Sequence, residues 1–328
     1  MAQVYSGIQP SGELHIGNYL GAVKNWAALQ RAYPGSIFCL VTYHALNSVG
    51  DPEVLRRNTF DMALSLLAAG VDPQAATLYV QSDVPEHTEL AWIFNTITPL
   101  GELERQTQYK DKSARLESVP VGILTYPVLQ AADILLYKGD LVPVGEDQIQ
   151  HLELSREIAR RWNAHFAAED RPLFPEPQPL LTPARRILGL DGKAKMSKST
   201  GNTIGLIEAP ESVWEKLRPA VTDPARVRKT DPGTPEVCNI YHLHRGFSPQ
   251  PVVAEVAERC RTAGWGCIQC KRVLHESMEA ELVPIRGRAA ALRADPGQVS
   301  DALAAGAARC RRIARETIGH VREAMGLG

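Results

Sequence analysis

The chain has 328 residues, 44% of them hydrophobic and 22% charged, which excludes a coiled coil or a disordered tail and suits two or three domains of ~100–200 residues each. A net charge of −1 excludes a global field that would draw the chain to nucleic acid; residues 206–328 alone carry 18 Lys and Arg against 15 Asp and Glu, a mildly basic part that could meet phosphates locally. No apolar run approaches the ~18 residues of a membrane span, and the amino terminus lacks the basic and apolar regions of a signal peptide, so a cytosolic location is expected.

In chain order, Val4–Ile8 reads as a strand and Gln9–Glu13 as a loop. Leu20, Val23, Trp26, Ala27 and Leu29 then fall at helical spacing between Asn18 and Ala32. A second strand is predicted at Ser36–Tyr43. A helix follows over Asp51–Ala69, capped by Asp51 with Pro52 in its first turn. Ala76–Gln81 is the third strand. Strand–helix–strand alternation with short connections predicts an α/β fold, a Rossmann-like parallel sheet with helices on both faces. Residues from about 84 to 141 read as a helical insertion. Leu141–Gly145 resumes the sheet, Glu146–Phe166 is helical, and a Pro-rich connection over 171–179 leads to a Lys-, Ser- and Gly-bearing loop. Past Gly205 the pattern is almost wholly helical. The expected division is a catalytic domain over 1–205 and a helical domain over 206–328, its last helix packing back on the first domain.

Two segments carry chemistry. Gly12-Glu-Leu-His15-Ile16-Gly17-Asn18 joins the first strand to the first helix, where open parallel sheets bind ligands and a helix N-terminus offers N–H groups to a phosphate. Gly17, without a Cβ, would let a flat purine lie on the backbone, and His15 could donate to phosphate oxygens. About 180 residues later, Lys195-Met196-Ser197-Lys198-Ser199 sets two lysines three residues apart in a Gly- and Ser-bearing loop. Such a loop can close on a polyphosphate and neutralise a departing pyrophosphate.

Together HIGN and KMSKS resemble the signatures of class I aminoacyl-tRNA synthetases. Gly7-Ile-Gln-Pro-Ser-Gly12, the stretches 101–113 and 126–137, and Val144-Gly-Glu-Asp-Gln148 narrow the resemblance to the tryptophanyl-tRNA synthetases. It covers nearly the whole chain, with Asn18 in place of the last His of the first signature. The resemblance implies activation of L-tryptophan by ATP with Mg²⁺ and transfer to the 3′-terminal adenosine of its tRNA, by a homodimer. By the same resemblance Gln9, Pro10, Ser11, Gly17, Asn18, Gly145, Glu146, Asp147, Ile187 and the loop Lys195, Met196, Ser197, Lys198 and Ser199 contact ATP. Asp133 accepts the indole N–H, beside Gln130, where many relatives carry Met, and Tyr126 and Gln148 line the amino-acid end. Lys195, Lys198, His15 and Lys112 are the expected catalytic groups, with Lys110 an alternative to Lys112. A tyrosyl-tRNA synthetase, or a paralogue that binds without catalysis, are the competing readings.

Four of the six cysteines fall within 33 residues, as Cys238, Cys260, Cys267 and Cys270. Four thiolates suit a [4Fe–4S] cluster or Zn²⁺, and spacing alone prefers neither. A subset of bacterial relatives with similar spacing carries the iron–sulfur cluster, so that group is expected, in a structural role. Arg259, Arg261, Lys271 and Arg272 would then face the anticodon backbone, and Trp265 is expected to pack in the core. Cys39 belongs to the apolar second strand. The arginines 309, 311, 312 and 315 around Cys310 either lower its pKa, serve tRNA phosphates, or form a solvated face.

Overall fold

The computed structural model describes residues 2–12, 14–145, 148–181, 187–194, 196–197 and 200–328, with only the backbone at Leu181. Strand β1 (Tyr5–Ile8) is followed by α1 (Ile16–Asn18), which runs through a π-turn at Tyr19–Val23 into α2 (Lys24–Ala32). Then come β2 (Ile37–Leu40), α3 (Thr42–Ala45), α4 (Pro52–Ala68) and β3 (Thr77–Val80). Asp51 caps α4 by accepting from the N–H groups of Glu53 and Val54 at 2.8 and 3.2 Å, with Pro52 at the first turn. The helical stretch holds α5 (Glu86–Ile97), α6 (Leu100–Glu104), α7 (Thr107–Ser113) and α8 (Val121–Leu135). Beyond it lie β4 (Leu141–Val144), α9 (Ile149–Phe166) and β5 (Gln178–Leu181). The remaining helices are α10 (Pro210–Leu217), α11 (Asn239–Phe247), α12 (Gln250–Arg261), α13 (Cys267–Ala294) and α14 (Pro296–Met325).

β1, β2 and β3 pair in parallel in the order β1-β2-β3, and β4 pairs in parallel with β5. A parallel bridge between Val4 and Leu141 joins the two sets, giving the order β3-β2-β1-β4-β5. The chain therefore leaves β1 on one side and returns to its other side, and the order reverses between β1 and β4. That is where the crevice of an open parallel sheet opens at the carboxyl ends of the strands. The strand β5 was not expected from the sequence: it lies in the Pro-rich connection, where Pro179 breaks the usual strand composition.

β2 is buried on both faces, and its residues alternate between two cores. Phe38 and Leu40 face a core shared with Trp26, Leu78, α4 and α13. Ile37 and Cys39 face one shared with Tyr79, α5, α8, α9 and α14. Trp26 stacks on Phe38 with ring centroids 4.5 Å apart. Both cores draw residues from either side of position 205. The last helix lies directly on β3: a Cβ built on Gly306 would stand 1.9 Å from the Leu78 carbonyl oxygen. Arg309 and Arg311 clip α14 down by donating to the carbonyls of Pro73 and Asp83, and Arg315 and Arg322 pair with Glu86 and Glu89. Of the four arginines expected around Cys310, Arg309, Arg311 and Arg315 thus hold the helix down, and Cys310 is fully buried, with burial pushing its thiol up to about 12. The sequence reading of a lowered Cys310 pKa is thereby overturned. No helix among the described residues is long and apolar enough to cross a membrane.

Candidate active site

A cavity of about 350 Å³ opens at the reversal point. Its floor comes from the ends of β1 and β4, with Ser6, Gly7 and Gln9 on one side and Val142, Val144 and Gly145 on the other. α8 forms a wall, bringing Tyr126, Gln130 and Asp133 to the cavity, while α7 contributes Gln108 and Lys112. Asp133, 2% exposed, is held from three directions. His44 Nε2 lies 2.8 Å from Oδ2, and Gln81 Nε2 donates to Oδ1 at 2.6 Å. His87 Nδ1 lies 2.7 Å from Oδ1. Burial alone would raise this carboxyl's pKa, but the hydrogen bond from His44 and the charge and contact of His87 outweigh it, and the group is held below its usual range. A carboxylate presents about four acceptor positions. Three are engaged, and Asp133 also lines the cavity. The arrangement is a buried acceptor with one place left for a donor.

At the other end of the cavity, the Tyr126 hydroxyl lies 3.1 Å from His151 Nε2 and donates to Gln108 Oε1 at 3.1 Å. His151 Nδ1 lies 3.1 Å from Gln148 Oε1. The ammonium of Lys112 sits 4.1 Å from the centre of the Tyr126 ring. The lysine is largely exposed, yet the water lost on the side facing the ring lowers its pKa. His44, Gln81, His87, Gln108 and His151 were not singled out in the sequence. A carboxylate on an apolar helix is the one signal that called for such donors.

Residues 1–283 match the family described as tRNA synthetases class I (W and Y). The tryptophan–tRNA ligase of Deinococcus radiodurans is 53% identical over 99% of both chains, and that of Synechocystis is 44% identical over 99% of this chain and 97% of its own. The crystal structure of tryptophanyl-tRNA synthetase from Campylobacter jejuni, complexed with ADP and tryptophan, superposes with a TM-score of 0.87 at 37% identity over 99% of both chains. The chain belongs to the tryptophan–tRNA ligase family.

The two signature segments of this synthetase meet in space. Ile16 N–H donates to the Ile204 carbonyl at 3.0 Å and Leu206 N–H to the Leu14 carbonyl at 2.8 Å, tying the start of α1 to the segment just past the loop. His15 and Asn18 cap each other: Asn18 N–H donates to His15 Nδ1 at 3.3 Å, and His15 N–H to Asn18 Oδ1 at 3.4 Å. Accepting at Nδ1 leaves the proton of a neutral His15 ring on Nε2. A Cβ on Gly17 would come within 3.0 Å of the His15 ring and 3.2 Å of Met196 Cβ. The absent Cβ of Gly17 therefore lets the His15 ring and Met196 pack close beside it. Met196 is buried, its N–H donating to the Ile187 carbonyl at 3.0 Å, and Ser197 N–H donates to Asn202 Oδ1 at 2.9 Å. Asn202 in turn donates to Asp191 at 3.1 Å. Pro10 is buried and Ser11 exposed, its N–H turning back to the Gln9 carbonyl at 2.9 Å. Glu146, Asp147, Lys195, Lys198 and Ser199 lie outside the described residues.

Cys238, Cys260, Cys267 and Cys270 converge on a second, small cavity of about 20 Å³. Trp265 forms part of its wall. Burial, and after it the neighbouring thiols, push Cys270 up to about 12. Burial and the neighbouring thiols also push Cys238 and Cys260 up, and four thiols on one space are a donor set suited to a bound cation. Yet among the described residues no group of three or more His, Cys, Asp or Glu is arranged to hold a single metal ion.

The cations expected around them are largely engaged. Lys271 is 4% exposed, its ammonium donating to the carbonyls of Arg218 and Ala220 at 2.7 and 2.6 Å. A backbone position is thus not open to it on RNA, contrary to the sequence reading. Arg261 pairs with Glu236 and Arg259 with Glu255, while Arg272 stands 5.7 Å from the Trp214 ring centre.

Proposed function

We propose that the cavity beside Asp133 is the tryptophan subsite of this synthetase, with the indole N–H donating to the fourth acceptor position of that carboxylate. The observation that carries the reading is the buried, ionised Asp133 with three positions engaged and its remaining edge on the cavity. A buried carboxylate with an acceptor position facing the cavity favours a ring N–H, and a site that hydrogen-bonds such a group can discriminate by about 10⁴–10⁵ without proofreading. Tyr126, Gln148 and Lys112 line the end where the amino and carboxylate groups would lie.

The chain ligates tryptophan to tRNA in two steps. The tryptophan carboxylate attacks the α-phosphorus of ATP and releases pyrophosphate, and a ribose hydroxyl of the tRNA terminus then takes the tryptophanyl group from the adenylate. No covalent enzyme intermediate is needed, so the residues act by positioning and charge. Gln9, Pro10, Ser11, Gly17, Asn18, Gly145 and Ile187 would hold ATP, with Nε2–H of His15 aimed at phosphate oxygen. Lys195 and Lys198 would neutralise the departing pyrophosphate, and Mg²⁺ bound with ATP supplies further positive charge. The meeting of Gly17 with Met196 supports a loop poised over the nucleotide.

Pyrophosphate exchange driven by tryptophan, and its fall by about a thousandfold or more in kcat/KM on Asp133→Ala, is the test. Exchange driven by tyrosine in place of tryptophan, or full activity in the variant, would overturn the reading. A homodimer is part of the proposal: Leu46 and Val121, 60% and 73% exposed, flank the close approach of Asn47 to Gly122. Light scattering that returned the mass of one chain would refute it.

A second reading concerns the thiol cavity. Cys238, Cys260, Cys267 and Cys270 line one space; four thiolates suit an iron–sulfur cluster or zinc, and the resemblance to the relatives that carry the cluster favours the former. Cys238, Cys260, Cys267 and Cys270 would ligate it, the small cavity widening to admit it. Metal and sulfide analysis with absorption near roughly 400 nm on anaerobically purified protein tests this; stoichiometric zinc, or neither metal, would refute it.

A further inference from the structure

The imidazole of His87 is completely buried and does not line the Asp133 cavity, yet it touches the carboxylate on which the tryptophan reading rests. Its Nδ1 lies 2.7 Å from Asp133 Oδ1, off the ideal hydrogen-bond angle, and has no other partner among the described residues. Its Nε2 lies 2.9 Å from the Tyr79 hydroxyl and 3.0 Å from the Tyr137 hydroxyl. A carboxylate only accepts, so the facing Nδ1 carries the proton, while the two tyrosine hydroxyls meet the ring at Nε2. Tyr79 comes from β3 and Tyr137 from the turn after α8, and both rings pack against the imidazole with centroids 5.9 and 5.5 Å away. The ring is therefore fixed on all sides by rigid elements.

We infer that His87 is a positioning residue for tryptophan: by holding Oδ1 of Asp133 from behind, it keeps the other edge of the carboxylate, Oδ2, turned to the cavity. His44 binds that edge from the cavity side, where both residues are part of the wall. Gln81 donates to Oδ1, and His87 Nδ1 lies against the same oxygen. With Nδ1–H removed, Gln81 alone would fix Oδ1, and the carboxylate could rotate about its Cβ–Cγ bond and offer the substrate a poorly aligned acceptor. Among the described residues, none of those proposed to hold ATP touches His87, Tyr79 or Tyr137. The loss therefore falls on tryptophan and not on ATP. This inference rests on the Asp133 reading above.

The test uses two polar variants that divide the imidazole. The amide of His87→Asn stands near the Nδ1 position and keeps a donor for Asp133; that of His87→Gln reaches the Nε2 position and keeps the tyrosine contacts. Pyrophosphate exchange on the full chain is expected to show a tryptophan KM raised about tenfold or more in His87→Gln, the scale of a lost hydrogen bond to a charged group. His87→Asn should stay within about threefold of wild type, and the ATP KM within about threefold in both. A role confined to packing, or to tying down the tyrosines, predicts the reverse order. The reverse order, equal effects, or an ATP KM that rises in step would each overturn the inference.

If His87→Gln does not fold, Tyr79→Phe and Tyr137→Phe each remove one hydroxyl from Nε2. Each should raise the tryptophan KM alone, by about two- to fivefold; no change in either would overturn the inference. The 3-benzothienyl analogue of tryptophan, with sulfur for the N–H, separates the two levels. Wild type using it as well as tryptophan would overturn the Asp133 reading and with it the inference. A selective wild type with unaltered His87 variants would overturn the inference alone.

Discussion

Adding one methyl group at Gly306 tests whether the last helix is welded to the sheet. A Cβ there would lie 1.9 Å from the Leu78 carbonyl oxygen, 2.8 Å from its carbon and 3.3 Å from Tyr79 Cβ. Because the clash is with backbone, no rotamer relieves it. An ordinary C···O approach is about 3.3 Å, so α14 must retreat by about 1.4 Å, which loosens Ala307, Cys310, Ala314 and Ile318, all buried against the second core. Retreats of that size forfeit much of the dispersion energy of the contact, and overpacking of this kind costs about 3 kcal/mol at the upper end. The helix interior itself gains about 1 kcal/mol from Gly→Ala. The expected net loss for Gly306→Ala is therefore about 2 kcal/mol. Gly319, on the same helix, has nothing within 4 Å of its would-be Cβ. Gly319→Ala should keep the propensity gain alone, about 1 kcal/mol of stabilisation. With an unfolding entropy near 2.1 cal/mol/K per residue, the two variants should melt about 4–5 °C apart on opposite sides of wild type. Differential scanning calorimetry reads the order directly. A Gly306→Ala protein that melts at or above wild type would refute the contact and the argument built on it.

Three further outcomes follow from the same accounting of buried groups. Lys271→Met should destabilise the chain by about 2 kcal/mol, since it strands the carbonyls of Arg218 and Ala220; it should leave the salt dependence of tRNA binding unchanged, and a slope reduced by about one would contradict its burial. Asp133→Asn removes a carboxyl whose folded pKa is depressed; the stability that this depression supplies is complete above the ordinary Asp value of about 3.9 and lost as pH falls through the lower folded value. The melting difference between wild type and Asp133→Asn should then hold constant from pH 7 to about 5 and shrink below about pH 4, and a constant difference down to pH 2 would show no depression. Iodoacetamide under native conditions should spare Cys39 and Cys310, both fully buried, while the half-buried Cys260 and Cys267 are modified sooner; peptide mapping that found Cys310 labelled as fast as Cys267 would refute the packing of α14.

The alternating elements up to Gly145 were legible because each strand of the first sheet is a short apolar run flanked by turn residues, and because Asp51-Pro52 marks a helix start by its chemistry. The π-turn at Tyr19–Val23 was not, since it leaves the apolar spacing nearly unchanged. β5 was hidden by Pro179, which sits opposite Val142 on a strand that borders β4. The roles of the arginines on α14 were also out of reach. A row of cations on an amphipathic helix looks the same whether it faces water, RNA or the carbonyls of Pro73 and Asp83, and only the fold brings those carbonyls near.

The site was legible as ligands and not as their supports. HIGN and KMSKS name the residues proposed to touch substrate, and the structure brings Gly17 and Met196 together across about 180 residues of chain. What the sequence withheld was the scaffold behind Asp133, because His44, Gln81 and His87 come from three separate segments and have no shared spacing. A physical signal for them was nevertheless present. A carboxylate on α8 between Ala132 and Ile134 cannot stay ionised in an apolar core without donors, and the chain must supply them from elements that close on that face. β2 and β3 end there, and the residues just beyond their carboxyl ends, His44 and Gln81, are the first polar side chains long enough to reach it. The search for donors to a buried acid thus leads to the strand ends at which a parallel sheet places its ligand, and the fold requirement and the binding requirement are met by the same atoms.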